Sequence, residues 1–152
     1  MNAVAPDAAA MTGLEQLRAV FDPQRPERAP GIGKTLGFTM VEIEEGRVVF
    51  GGDPDESVYN PIGTVHGGYA ATLLDSAVGC AVHSMLKAGQ GYTTLELKVA
   101  YHRPMTKDTG PVRAEGKALQ VGRRDAFAEG RITDLQGRLY ATATSTLLVF
   151  DR

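Results

Sequence analysis

A single cysteine, Cys80, in 152 residues excludes an intramolecular disulfide. Nothing therefore demands an oxidising compartment, and a cytoplasmic location fits. A strong charge of either sign is also missing. The formal net charge is -2, which gives no general attraction to nucleic acid or to an anionic membrane. An anionic ligand would need a local basic patch. Between Met1 and Gly13 no basic segment precedes an apolar run, so this stretch does not read as a secretory signal. The most apolar stretch, Tyr69 to Leu86, contains Asp75, His83 and many small residues. It is expected to be a buried helix rather than a membrane span.

Several catalytic signatures are absent. Gly31-Ile-Gly33-Lys34-Thr35 resembles part of a phosphate loop, but Arg28 stands where its first glycine is required. No Gly-x-Ser-x-Gly occurs, which removes the usual serine-hydrolase route. His66, His83 and His102 lack metal-ligand spacing. Cys80 lies in the apolar stretch and is expected to pack rather than attack. No metal and no separate cofactor is expected.

What is present is a composition of 43% hydrophobic and 22% charged residues, as in a globular domain with one core. Leu14, Leu17 and Phe21 predict a short helix ended by Pro23, after an alanine-rich, frayed 1–13. Residues 22–33, rich in proline and glycine, predict a connector. Phe38 to Phe50 predicts two strands turning at Gly46. A loop over 53–63 leads to a long helix from His66 to about Lys87. Strands are predicted over Tyr92–Arg103, Val112–Val121, Arg124–Thr133 and Leu139–Phe150, with a hairpin turn at 134–137.

Alternation along these strands predicts antiparallel pairing with one face buried. Leu95, Leu97, Val99 and Tyr101 are expected on one face, with Thr94, Glu96 and Lys98 on the other. The helix is apolar nearly all round, with Ala70, Ala71, Ala77, Gly79 and Ala81 permitting close approach of a sheet. The expected fold is α+β, a curved antiparallel sheet wrapped around one long central helix. It occupies 35–152, with 1–34 as a tail carrying the short helix. An open edge strand would invite a second copy.

The informative segment runs from Asn60-Pro61 through His66-Gly67-Gly68 to Asp75. His66-Gly67-Gly68 starts the helix, where amides lack intrahelical acceptors and the helix dipole is positive. Such a turn suits polarisation of a carbonyl oxygen. Asp75 is the only acid between Tyr69 and Leu86. A carboxylate there is costly unless it is paired or used, so it is either held by backbone or hydroxyl donors or is functional. Gly67 and Asp75 stand eight residues apart, or ~12 Å along a straight helix. If both act on one carbonyl, they come from different subunits.

Asn60-Pro61, Gly63, Val65-His66-Gly67-Gly68, Ala71 and Leu74-Asp75 resemble the signature of hot-dog-fold thioesterases, most closely the phenylacetate-pathway acyl-CoA branch. The resemblance continues through Thr93-Thr94 to Tyr101-His-Arg103-Pro104 and Val121-Gly122-Arg123-Arg124, spanning about 35–150. It implies hydrolysis of acyl-CoA by a homo-oligomer, a dimer or dimer of dimers. The Gly67 amide would polarise the thioester carbonyl. Asn60 would hold water or orient the thioester. Asp75 from the partner chain would act as general base or nucleophile, with Thr94 positioning water. His66 and Gly68 would border the substrate, His66 chiefly fixing the loop.

Arg123 and Arg124, with Arg103 as a further candidate, could bind coenzyme A phosphates. Two other classes remain in view. A hot-dog hydratase or dehydratase would resemble a pattern with an acid before Asn-Pro, where this chain has Tyr59. A non-catalytic acyl-CoA sensor would call for a DNA-binding segment, and residues 1–34 are too short and insufficiently basic for one.

Overall fold

A computed structural model describes residues 10–22, 24 and 31–152. Residues 1–9, 23 and 25–30 of the expected tail and connector lie outside these residues. Helix α1 (Gly13–Val20) opens with a capping box, in which Thr12 and Glu15 satisfy each other's backbone amides. Thr12 and Gly13 were expected to fray. Instead the Gly13 amide donates to the Leu86 carbonyl at 3.0 Å. Ile32 and Gly33, expected as connector, begin a single turn, α2 (Ile32–Thr35).

Six strands make one antiparallel sheet. They are β1 (Phe38–Glu44), β2 (Arg47–Gly52), β3 (Gln90–Tyr101), β4 (Val112–Val121), β5 (Asp125–Asp134) and β6 (Leu139–Asp151). Their order is β1-β2-β4-β5-β6-β3, leaving β1 and β3 as edges. The sheet curves around the central helix α3 (Gly67–His83), which is the hot-dog arrangement. No helix among the described residues is long and apolar enough to cross a membrane.

Close approach depends on the sheet as well as on the small residues of α3. A Cβ at Gly116 of β4 would lie 2.3 Å from the Ala77 carbonyl, and one at Gly130 of β5 would lie 2.9 Å from Val78 Cγ1. Leu73, Leu74, Val78 and Val82 are buried with Ile132 and Leu147 in the resulting core. Burying each such side chain contributes roughly 1.5–3 kcal/mol before entropy is counted. The helix stops at His83 rather than near Lys87: beyond the Ser84 amide the backbone bonds tighten to three-residue spacing, Met85 to Val82 and Leu86 to His83, both at 3.0 Å, and the Ser84 hydroxyl donates to the Ala81 carbonyl at 2.6 Å. The same hydroxyl accepts the Gly46 amide at 2.8 Å, tying the helix end to the β1–β2 turn.

Each edge strand carries one irregularity. The β1–β2 register shifts between Met40 and Glu42, and the β3–β6 register shifts between Thr94 and Glu96. The second exchanges the expected faces of Thr94 and Leu95, while Glu96 and Lys98 stay opposite Leu97 and Val99 as expected. Leu95 bulges out, 61% exposed, and Thr94 pairs opposite the buried Leu147 while Glu96 pairs opposite Thr146. An extra residue in one strand reverses the alternation beyond it. Thr94 therefore shares the helix-facing side with Leu97 and Val99.

Candidate active site

The loop before α3 is shaped by Asn60. Its Oδ1 accepts the Ile62 and Thr64 amides, both at 3.1 Å, and its Nδ2 donates to Thr64 Oγ1 at 2.9 Å. Its backbone amide donates to the Thr64 carbonyl at 2.8 Å. Gly63 takes φ +83°, which glycine adopts without strain. One Nδ2 hydrogen of Asn60 remains for an incoming group. The loop leads into α3 through the His66 amide, which donates to the Val58 carbonyl at 2.8 Å.

His66 is the N-cap of α3, and its Nδ1 accepts the Gly68 amide at 2.8 Å. An amide can only donate, so Nδ1 is the unprotonated nitrogen and a neutral ring carries its hydrogen on Nε2. The Gly67 amide, at the first helical position, has no intrahelical acceptor. The two glycines serve contacts within the protein. A Cβ at Gly67 would meet the Tyr101 hydroxyl at 3.0 Å, and one at Gly68 would meet His66 Nδ1 at 2.9 Å. A cleft of about 350 Å³ opens here, lined by Thr64, Val65, His66, Gly67, Ala70 and residues 101–105.

Asp75 lies two turns further along α3, half-buried, and its Oδ1 accepts the Thr94 hydroxyl at 2.9 Å. Below this pair, Tyr92 packs over Gly79 and against His83, with ring centroids 5.3 Å apart. Burial pushes the Cys80 thiol up to about 12 despite a hydrogen bond with Tyr92. It is thus a poor thiolate nucleophile. Burial also lowers the His83 imidazole pKa, and the Arg152 charge adds to this.

The expected site residues fall into three places. Asn60, His66, Gly67, Gly68 and Arg103 gather around the loop and cleft, Arg103 with its guanidinium 5.7 Å from the Tyr140 ring centre. Asp75 and Thr94 form a separate pair. Arg123 and Arg124 are exposed in the β4–β5 turn, where the Arg124 carbonyl accepts the Val149 amide beside the start of β3. The sequence places Tyr101 on the apolar face of its strand and assigns it no role in the site. Its hydroxyl donates to the Gly67 carbonyl at 2.8 Å, and its only sequence signal was membership of the Tyr101-His-Arg103-Pro104 stretch. A larger concavity of about 420 Å³ on the outer sheet face is lined by Lys98, Glu115, Lys117 and Arg131. None of the expected site residues lines it, and Glu115 already pairs with Arg131 at 2.9 Å. The smaller cleft is therefore the better candidate.

A hot-dog sheet with a His-Gly-Gly helix start and a carboxylate two turns on defines a thioesterase-like protein. The thioesterase superfamily model matches residues 62–141, over half of the chain, and the chain belongs to that superfamily. It is 26% identical over 119 residues to a 1,4-dihydroxy-2-naphthoyl-CoA hydrolase of Listeria monocytogenes, covering 78% of this chain and 95% of that protein. It is 31% identical over 107 residues to the proofreading thioesterase EntH of Klebsiella pneumoniae, covering 70% and 77%. Among solved structures, a thioesterase family protein from Silicibacter pomeroyi superposes with TM-score 0.78 at 25% identity, covering 92% of this chain and 99% of that one.

Proposed function

We propose that this protein hydrolyses an acyl-CoA to the free acid and coenzyme A, within the phenylacetate-pathway branch that its motif resembles. The Asp75–Thr94 contact carries the proposal. A carboxylate facing a hydroxyl, on the same helix as an amide without an intrahelical acceptor, supplies both a base and an oxygen-binding donor. The hydrolase named among its relatives acts on a CoA thioester, which supports that substrate class.

In this mechanism the Gly67 amide receives the thioester oxygen, helped by the remaining Asn60 donor. Asp75 either takes a proton from an attacking water or attacks the carbonyl itself, giving an anhydride that water opens. Coenzyme A departs as the thiolate and is protonated. Since Gly67 and Asp75 share one continuous helix, ~12 Å apart along its axis, the two halves of a site come from two subunits. The open edge of β3 supports pairing of two copies.

Thiol release from aryl-, short-, medium- and long-chain acyl-CoAs, with binding measured in parallel, tests the activity. Asp75→Asn keeps an oxygen to accept the Thr94 hydroxyl but loses basicity. It should retain the fold and binding while turnover falls ~10²–10⁴-fold. Binding without turnover in the unaltered protein would identify a sensor instead. Full turnover in folded Asp75→Asn would remove this carboxylate from the reaction.

A further inference from the structure

We propose that Tyr101 is a positioning residue for the turn that receives the thioester oxygen; this rests on the proposed reaction. Tyr101 closes β3 and is 55% exposed, yet its hydroxyl is not left to water. It donates to the Gly67 carbonyl at 2.8 Å. That carbonyl and the Gly68 N–H belong to one peptide group, and the Gly68 N–H in turn donates to His66 Nδ1 at 2.8 Å. The three groups form a continuous chain, Tyr101 hydroxyl to peptide to imidazole. Hydrogen bonds in such a chain polarise one another.

The chain holds both sides of the Gly67 amide. On one side it fixes the His66 ring, which lines the cleft, through Nδ1. On the other it fixes the plane of the Gly67–Gly68 peptide. The Gly67 N–H between them is thereby aimed before substrate arrives, which is what transition-state stabilisation by a fixed donor requires. The space is made for this contact, because a Cβ at Gly67 would meet the Tyr101 ring at 3.1–3.3 Å and its hydroxyl at 3.0 Å. The same strand end places Arg103 in the cleft, so one segment sets the turn and lends it a positive charge.

Tyr101→Phe separates the hydrogen bond from ring packing. In the full chain, kcat for thiol release should fall about fivefold to tenfold, the worth of one hydrogen bond. KM should stay within about twofold, because the loss falls on the transition state, and Tm should fall by no more than about 5 °C. Tyr101→Ala should lower Tm as well, so that phenylalanine rescues stability but not kcat. By NMR, exchange of the Gly68 amide should quicken in Tyr101→Phe. A wild-type kcat in the phenylalanine variant overturns the proposal, as does a kcat loss matched by a large fall in Tm. If the unaltered protein cleaves no thioester, the proposed reaction fails instead. Gly68 exchange then decides the anchor alone, and an unchanged rate overturns it.

Discussion

Replacing Gly116 by alanine tests how α3 is held against the sheet. The added methyl would sit 2.3 Å from the carbonyl carbon and oxygen of Ala77 and 2.6 Å from the Val78 nitrogen. Ordinary contact begins near 3.4 Å, so something must give by about 1 Å. Helix backbone cannot rotate aside as a side chain can. Overpacking of this kind costs about 1–3 kcal/mol, or roughly 2–12 °C in Tm at this chain length. Asp75 lies two residues before Ala77, so helix retreat also stretches its 2.9 Å contact with Thr94, and activity should fall with stability. Gly130→Ala meets side-chain atoms of Val78 and Leu74 at 2.9 and 3.2 Å and a backbone atom, the Glu115 carbonyl oxygen, no closer than 3.3 Å, and should lose less. Gly31→Ala, with extended backbone and nothing within 4 Å, should change Tm little. Thermal unfolding by circular dichroism measures the series. A Gly116→Ala protein as stable as the parent, or less harmed than Gly130→Ala, would refute the close-packing account.

Tyr69 bears the one buried side-chain oxygen without a hydrogen bond among the described residues, and burial, with the Asp53 and Asp55 charges, pushes its phenol up to about 12. Tyr69→Phe should therefore be neutral or stabilise by up to about 2 kcal/mol in denaturant unfolding; a clear loss would show the hydroxyl is satisfied. Replacing Arg123 and Arg124 by alanine should raise KM for acyl-CoA several-fold, change kcat less, and leave hydrolysis of a truncated thioester without the nucleotide unaffected. A kcat loss on both substrates would instead assign these arginines to the fold. Burial alone would raise the Glu115 pKa, but the guanidinium groups of Arg47 and Arg131 bring it below its ordinary 4.5. Its stabilising share is thus present above pH 4.5 and lost as pH falls through the lower folded value, so Glu115→Gln should flatten the fall of Tm with acid, and an unchanged slope would contradict this.

Much of the architecture could be read from local pattern. Val112, Ala114 and Gly116 point inward on β4 while Arg113, Glu115 and Lys117 do not, as their alternation suggests. The long apolar segment is the central helix, and Asp75 stands out within it because no other acid does. What escaped depends on partners distant in sequence. Strict alternation put Thr94 on the wrong face, because the bulge at Leu95 exists only in relation to β6. Thr94 nonetheless meets Asp75, for a reason opposite to the one alternation offered. The His83 helix end is tied through Ser84 to Gly46, 38 residues away, and the contact of Tyr101 lies 34 residues away.

The irregularities at Val41 and Leu95 also bear on how the molecule behaves when crowded. An open sheet with two edge strands can be a template on which copies stack strand to strand without limit. Here one edge is regular only over 38–40 and 42–44, and the other only over 90–94 and 96–101. A newcomer strand must break its own ladder at the same point to continue past either interruption. Matching that interruption is possible for a few specific pairings and not for arbitrary segments. The kinks thus work against fibre growth at both edges.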